Sequence, residues 1–543
     1  MRLNDRELQN REQWEKAGIQ LPRFDRGAMI RATMAAPQWV HFGAGNIFRA
    51  FPAALAQSLL EQGITQTGIV VAEGYDTEVI DRCFTPFDNL GILVTLKSGG
   101  TIDKQVIASV AASFKMDNDI IELKKIFAAS SLQMASFTIT EKGYDLTNRD
   151  GGLLPDRAED MQAGPGAAKS YMGRIAALCH ERYVRGGHPL ALVSMDNCSH
   201  NGDKLFAAIK AFACAWAERG LVDAGFAGYV QNPQKLSFPC TMIDKITPRP
   251  DESVRKMLAG CGLEDMDGLV TEKNTYIAPF VNAEETQYLV IEDAFPNGRP
   301  ALEKAGVLFT DRETVDKVEK MKVCTCLNPL HTALAVFGCL LGYTRISDEM
   351  QNPDLVKLIE GVGYREGLPV VTDPGIISPK EFIDTVIQVR LPNPFIPDSP
   401  QRIAVDTSQK IAVRFGETIR AYHTGNEGLT VQRLTLIPLV LAAWLRYLLG
   451  VDDTGKPFAV SPDPLYPSLA PMLAGISPGH GAPPEHGTFH AALEPILSNR
   501  KIFGLNLYDA GLGEKIESCF EELLAGPGAV AATLKKYVNA IKE

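Results

Sequence analysis

Between Pro37 and about residue 300, apolar positions fall into short runs joined by stretches of helical spacing. "PQWVHFGAG" reads as a strand entering a glycine turn. "AFPAALAQSLLEQG" repeats its apolar residues at helical intervals, and "TGIVVAEGY" reads as a second strand. This is the opening of a βαβ unit. Further strands are expected at "GILVTL", "VIASVAASF", "MASFTIT", "LALVSMDN", "FAGYVQ" and "YLVIED", with helices at "GRIAALCHERYV" and "KLFAAIKAFACAWAERG". From about residue 306 long helical runs dominate, such as "TVDKVEKMKVCTCLNPLHTALAVFGCLLGY" and "TLIPLVLAAWLRYLLG". The pattern predicts an α/β domain over 1–305 and a mostly α-helical domain over 306–543, joined near "FPNGRPALEKAG". The first 36 residues read as a polar extension, and "AVSPDPLYPSLAPMLAGISPGHGAPPEHG" as a surface excursion.

Bulk properties narrow the partners. The 543 residues exceed one ordinary core. A net charge of -11 argues against nucleic acid, yet a local basic cluster could still hold a small anionic substrate. The ten cysteines form no CxxC pair, which suits reduced thiols and offers no metal site. Cys324 and Cys326, two apart on a helix, face different ways and read as core packing. The amino-terminal stretch is too charged for a signal peptide. The apolar stretch "LTLIPLVLAAWL" is shorter than a membrane span and holds a proline. A cytoplasmic protein with no membrane partner is expected.

The first strand and helix flank Gly43 and Gly45. One glycine permits the tight turn, and the other lets the backbone approach a pyrophosphate at a helix start. Phe48 stands where a third small residue is expected. The second strand ends at Glu73, an acid that could accept from ribose hydroxyls and repel a 2′-phosphate; this favours NAD over NADP. Asp76 is the rival for that role.

Several segments together resemble one family, the long-chain mannitol dehydrogenases, which includes polyol and hexuronate enzymes. They are "HFGAGNIFRA", "TITEKGYDL", "SMDNCSHNG", "FPCTMIDKITP", "VIEDAFPNGRP", "LNPLHTALA" and "RIAVDTSQKIAVRF", in order along the chain. The resemblance implies a Rossmann-like amino-terminal domain, a helical carboxy-terminal domain, and a metal-independent, NAD(P)-dependent oxidoreductase acting on a small sugar or sugar acid, with Glu73 favouring NAD. It accounts for Phe48, because the family's glycine loop is GxGxxxRA; Gly43, Gly45, Asn46 and Arg49 then belong to the cofactor site with Glu73. It implies Lys322 as the catalytic lysine, with Glu319 helping to move the proton. It implies Asn197 and Asn328 as polarisers of the reacting oxygen and His331 as the residue that orients the substrate. Asp244, Arg402 and Lys410 match substrate-lining positions. Each also has a plainer reading: Asn197 in a turn, Asp244 in a surface pair with Lys245, Arg402 and Lys410 solvated around "VDTS".

The family spacing is Lys-x4-Asn, whereas Lys322 and Asn328 are six apart. On a regular helix Lys322 would face away from His331, and Lys320 would face it. One extra residue can be absorbed as a π-bulge, and Pro329 loosens the turn because it has no N–H. A bulge or kink is therefore expected between Cys324 and Pro329. The resemblance leans towards the hexuronate members, with D-fructuronate and D-mannonate as the pair interconverted. A polyol 2-dehydrogenase (fructose to mannitol) is the alternative, and an inactive nucleotide-binding sensor is the alternative of another class. Self-association is not legible.

Overall fold

The computed structural model describes residues 1–148, 150–425, 428–479 and 487–540. The chain divides into two compact units: Met1–Lys97 with Thr101–Asp316, and Ser98–Gly100 with Lys317–Glu543. The division falls inside the helix Arg312–Met321, beyond the loop at 295–306.

The first unit is built on six strands: β1 (Trp39–Phe42), β2 (Ile69–Glu73), β3 (Val110–Lys115), β4 (Met134–Phe137), β5 (Leu190–Ser194) and β6 (Leu236–Ser237). Their order is β3-β2-β1-β4-β5-β6, and every pair is parallel. This is the doubly wound Rossmann order, with its switch point between β1 and β4. β1, β2, β4 and β5 are buried along their whole length, as strands covered by helices on both faces must be. Helices Tyr171–Val184 and Asn201–Glu218 pack one face around Phe127, Leu178, Phe212 and Trp216. Helix Pro52–Glu61 packs the other face with Leu55 and Leu59. Two three-stranded sheets, one around Gly91–Leu96 and one around Tyr288–Glu292, and a two-stranded pair of Leu269–Val270 with Tyr276–Ile277 complete the unit.

Three expectations are corrected. "FAGYVQ" is the helix Gly225–Gln231; Phe226, Tyr229 and Val230 are buried at i, i+3 and i+4, which is one helical face. "VIASVAASF" is split between the strands Ile102–Ile107 and Val110–Lys115. The break is held by Gln57, whose Oε1 accepts from Ala108 N–H at 2.6 Å, and by Ser109 Oγ donating to Ala53 O at 2.7 Å. The first 36 residues are more than a polar extension, since they bury Leu3, Trp14, Ile19 and Met29. The excursion over 459–487 contains only the short helical turns Tyr466–Leu469 and Ala470–Leu473 among its described residues, and 480–486 lie outside them.

In the second unit no strand is found among the described residues. Its central helices are Asn328–Leu341 and Leu436–Tyr447, and all twelve residues of the latter are buried. Glu366 accepts from the N–H groups of Thr435, Leu436 and Ile437 at 2.5–2.7 Å, capping that helix from a distance. Glu349 is fully buried, and neither carboxyl oxygen has a hydrogen-bond partner among the described residues. It wedges against the Asn328–Leu341 helix, where a Cβ on Gly338 would lie 2.1 Å from its Oε1. Burial, with the neighbouring Asp348 charge adding to it, pushes its pKa up to about 9, so it is a neutral acid in the fold.

Four helices of this unit contain π-helical turns: Lys322–Cys326, Gly361–Gly367, Val386–Arg390 and Ala412–Gly416. The helical run Arg312–Leu341 is long and apolar enough to cross a membrane, but 83% of its most apolar window is buried within the protein, as in a core helix.

Candidate functional site

In the first unit the site grows from the end of β1. Gly43 has φ of +105°, and a Cβ there would lie 2.2 Å from the Thr138 carbonyl oxygen, so only glycine fits. A Cβ on Gly45 would meet nothing within 4 Å, leaving open ground beside the backbone N–H groups. Phe48 replaces the third small residue because its ring stacks on His41, centroids 4.5 Å apart. His41 is wedged between Ser136 Oγ at 2.6 Å and Thr138 Oγ1 at 2.8 Å. Burial lowers its pKa to about 3, outweighing a bond with the Gly43 backbone, so the ring is neutral.

Glu73 ends β2 and ties the loop down. Its Oε2 accepts from Ala44 N–H at 2.7 Å; its Oε1 accepts from the N–H groups of Gly74, Tyr75 and Asp76 at 2.9, 2.8 and 3.3 Å. Burial raises the carboxyl pKa, and these four bonds pull it back. Over this loop opens a cleft of about 570 Å³, lined among others by Gly45, Asn46, Glu73, Asp76, Thr140 and Tyr171. Arg49 does not line it. Its guanidinium turns into the core, donating to Ala278 O at 2.7 Å and lying 5.6 Å from the Phe84 ring centroid. Arg49 therefore braces the loop's helix from behind.

Asn197 lies exposed in the loop after β5. Its neighbour Asp196 orders the surroundings: it accepts from Ile139 N–H at 3.0 Å, Thr140 N–H at 2.9 Å and Tyr144 Oη at 2.6 Å. Thr140 is thereby held at φ of +64°, which a threonine rarely adopts. Asn201 is buried and stitches the same loop to the strand Thr241–Asp244: its Nδ2 donates to Asp196 O and Thr241 O, and its Oδ1 accepts from Thr241 N–H at 3.0 Å. Asp244 ends that strand, buried and in register with Tyr288.

In the second unit the expected bulge is present. The chain is π-helical over Lys322–Cys326 and restarts as an α-helix at Asn328. Leu327 N–H reaches back five residues to Lys322 O at 3.1 Å, and His331 N–H resumes the four-residue pattern to Leu327 O at 3.0 Å. The π segment begins earlier than the Cys324–Pro329 window. Lys322 is 3% exposed, while Lys320 is at the surface, lining a separate pocket of about 170 Å³ with Glu417 and Arg420. Glu319 is half-buried one turn before Lys322, and Asn328 opens the following helix, its carbonyl accepting from Thr332 Oγ1 at 2.9 Å.

His331 Nε2 stands 3.5 Å from Asp398 Oδ2, and the other oxygen of Asp398 pairs with Arg402. Burial lowers the His331 pKa to about 4; Asp398 opposes that, and Arg390, Arg414 and Arg402 reinforce it. Arg414 Nη1 donates to Thr332 Oγ1 at 2.5 Å, next along the helix from His331. Burial lowers the Arg414 pKa to about 10. Lys410 Nζ donates to Val405 O at 2.5 Å, and burial followed by the Arg414 charge lowers its pKa. Asp398 thus lies between the neutral imidazole of His331 and the Arg402 guanidinium, and the charges of Arg402 and Arg414 act on both His331 and Lys410. Arg390 and Arg414 lie on π-helical turns, as does Lys322 elsewhere in the unit.

Sequence reasoning missed Asp196, Asn201, Tyr171, Asp398, Arg390 and Arg414. Asp196 and Asn201 flank Asn197 in "SMDNCSHNG", and Arg414 closes "RIAVDTSQKIAVRF", so their segments were marked but their partners were not.

Comparison with known proteins covers both units. The family model described as the mannitol dehydrogenase Rossmann domain matches residues 37–304, and the mannitol dehydrogenase C-terminal domain matches residues 314–523. The chain is 52% identical to the D-mannonate oxidoreductase of Thermotoga maritima, over 99% of both chains. Among solved structures, substrate-free D-sorbitol dehydrogenase aligns with a TM-score of 0.79 at 25% identity, covering 95% of this chain and 98% of that one. The Pseudomonas fluorescens mannitol 2-dehydrogenase complex with NAD and D-mannitol aligns with a TM-score of 0.70 at 26% identity, covering 100% of each.

Proposed function

The chain belongs to the mannitol dehydrogenase family, and we propose that it is an NAD-dependent oxidoreductase interconverting D-fructuronate and D-mannonate. The observation that carries the sugar acid over the polyol is the charge around His331. Three guanidiniums, from Arg390, Arg402 and Arg414, act on one imidazole and are opposed by the Asp398 carboxylate. Planar, permanently charged guanidiniums suit a carboxylate-bearing substrate better than a neutral polyol. The full-length likeness to a D-mannonate oxidoreductase supports the same choice.

The first unit fits a dinucleotide: Gly45 leaves room at the loop, Asp76 brings a carboxylate to the cleft, and the buried Tyr171 hydroxyl has no partner among the described residues. When bound, NAD supplies the hydride chemistry, and the protein supplies orientation and electrostatics. In this reading Lys322 delivers the proton, with Glu319 as its relay. Asn197 and Asn328 donate to the developing alkoxide. The neutral His331 orients the substrate, and Asp244, Arg402 and Lys410 line its site. The ten free cysteines suit a reducing cytoplasm.

The test is NADH oxidation with fructuronate, tagaturonate and fructose. The highest kcat/KM is expected with fructuronate. A preference for fructose would make the protein a polyol dehydrogenase, and NADH binding without any turnover would make it a sensor. Cofactor choice gives a second expected result. Glu73→Ala frees Ala44 and the Gly74–Asp76 turn, so NADH binding should weaken on the order of tenfold, the scale of losing charge-assisted bonds. Discrimination against NADPH should fall with it. Titration with both cofactors checks this; an unchanged ratio of the two affinities would remove Glu73 from cofactor selection.

A further inference from the structure

We propose that Tyr171 reads the 2′-hydroxyl of the cofactor's adenosine ribose, its phenol donating to that oxygen while Asp76 accepts the hydroxyl's proton. The inference rests on the NAD reading above. Tyr171 lines the cleft, and its Oη is a buried atom with no hydrogen-bond partner among the described residues. An orphaned buried hydroxyl is costly, and the natural explanation is a partner that arrives with the ligand.

The residue is rigidly mounted. It is the first residue of the helix Tyr171–Val184, whose cap Ser170 accepts from Gly173 N–H at 3.2 Å. Buried Asp160 in turn accepts from the N–H groups of Lys169 and Ser170 at 2.9 and 2.7 Å. The ring is pressed against the end of β2: a Cβ on Gly74 would lie 3.0 Å from Tyr171 Cε2 and 2.5 Å from Met116 Sδ. Gly74 is thus the glycine that admits this ring beside Glu73 and Asp76. Burial, with the Glu73 and Asp196 charges, keeps the phenol protonated and therefore a donor.

The carboxylates divide the remaining work. Four backbone N–H groups already engage Glu73, three on Oε1 and one on Oε2. Asp76 accepts from Thr271 Oγ1 through Oδ2, and among the described residues no other side chain donates to its carboxylate, which leaves Oδ1 for a ligand donor. A donor phenol and an acceptor carboxylate in one cleft match a hydroxyl, which accepts from one and donates to the other. A 2′-phosphate has acceptor oxygens only and meets the Asp76 charge.

The test is calorimetric titration of the full chain, without substrate, using NADH and its adenosine-2′-deoxy analogue. The parent should bind the analogue about tenfold more weakly than NADH. Tyr171→Phe should lose about the same factor for NADH and nothing further for the analogue, with an unchanged melting temperature. Tyr171→Phe binding NADH like the parent, or weakened equally for both ligands, would overturn the proposal. A parent that binds neither would overturn the NAD reading as well, so the two failures are distinct.

Discussion

Lys322→Ala is expected to lower kcat on the order of 100-fold or more, the scale of losing a general acid–base group, while NADH binding persists. An ammonium buried to 3% exposure needs a reason, because desolvation costs several kcal/mol unless partners compensate. The helix around it has also given up regular hydrogen bonding to place it, in a π turn over Lys322–Cys326. Lys320→Ala should retain near-parental turnover, since Lys320 lies at the surface. Glu319 stands three residues before Lys322 on the same face, and its removal should lower kcat less and shift the pH profile. Steady-state kinetics with a fluorescence titration of NADH separates the effects. An active Lys322→Ala beside a dead Lys320→Ala would transfer the proton to the other lysine.

Glu349→Gln should stabilise the protein, and by more as the pH rises. The native pKa is pushed up to about 9, far above that of an exposed glutamate. Between the two values the unfolded chain is ionised and the native chain is not, so the native state binds the extra proton. Stability contributed by the neutral acid is therefore present at low pH and lost as pH climbs towards 9. The amide keeps the shape against Gly338 and cannot ionise, so it removes this loss. The gain over the parent should be small near pH 5 and on the order of 4 kcal/mol near pH 8. Denaturant unfolding of both proteins at several pH values measures it. Curves that run parallel across the range would show that Glu349 is already ionised in the fold, with a partner that compensates it.

Local patterns made the frame readable, and distant partners did not. β1, β2, β4 and β5 are short, mostly apolar runs buried along their whole length, and the glycine turn follows the first of them directly. The misread segment "FAGYVQ" has Phe226, Tyr229 and Val230 at helical spacing, but it is short enough for β-rich composition to mask the period. The displaced spacing of Lys322 and Asn328, set against the spacing the resemblance implies, pointed to a π turn, with Lys320 on a straight helix as the alternative. Asp196 could not be read, since its role is to hold Ile139 and Thr140, more than fifty residues away. Arg49 was misplaced for the same reason: a loop motif names an arginine, but only the fold shows that it binds Ala278 O. Tyr171 and Asp398 carry no local signal, because their importance lies in what faces them.

The π turn also has a bearing on how roles are transferred between relatives. Such a turn lets a helix gain a residue while the stretches on either side keep their faces, so the insertion is hidden inside an apparently continuous element. Counting back from Asn328 by the relatives' interval lands on Val323, an aliphatic side chain with no proton to give. An alignment that spreads its gap into the neighbouring loop would assign the chemistry to that valine and score the protein as inactive. A gap placed within the helix, between Lys322 and Asn328, keeps the lysine and the asparagine in their shared columns.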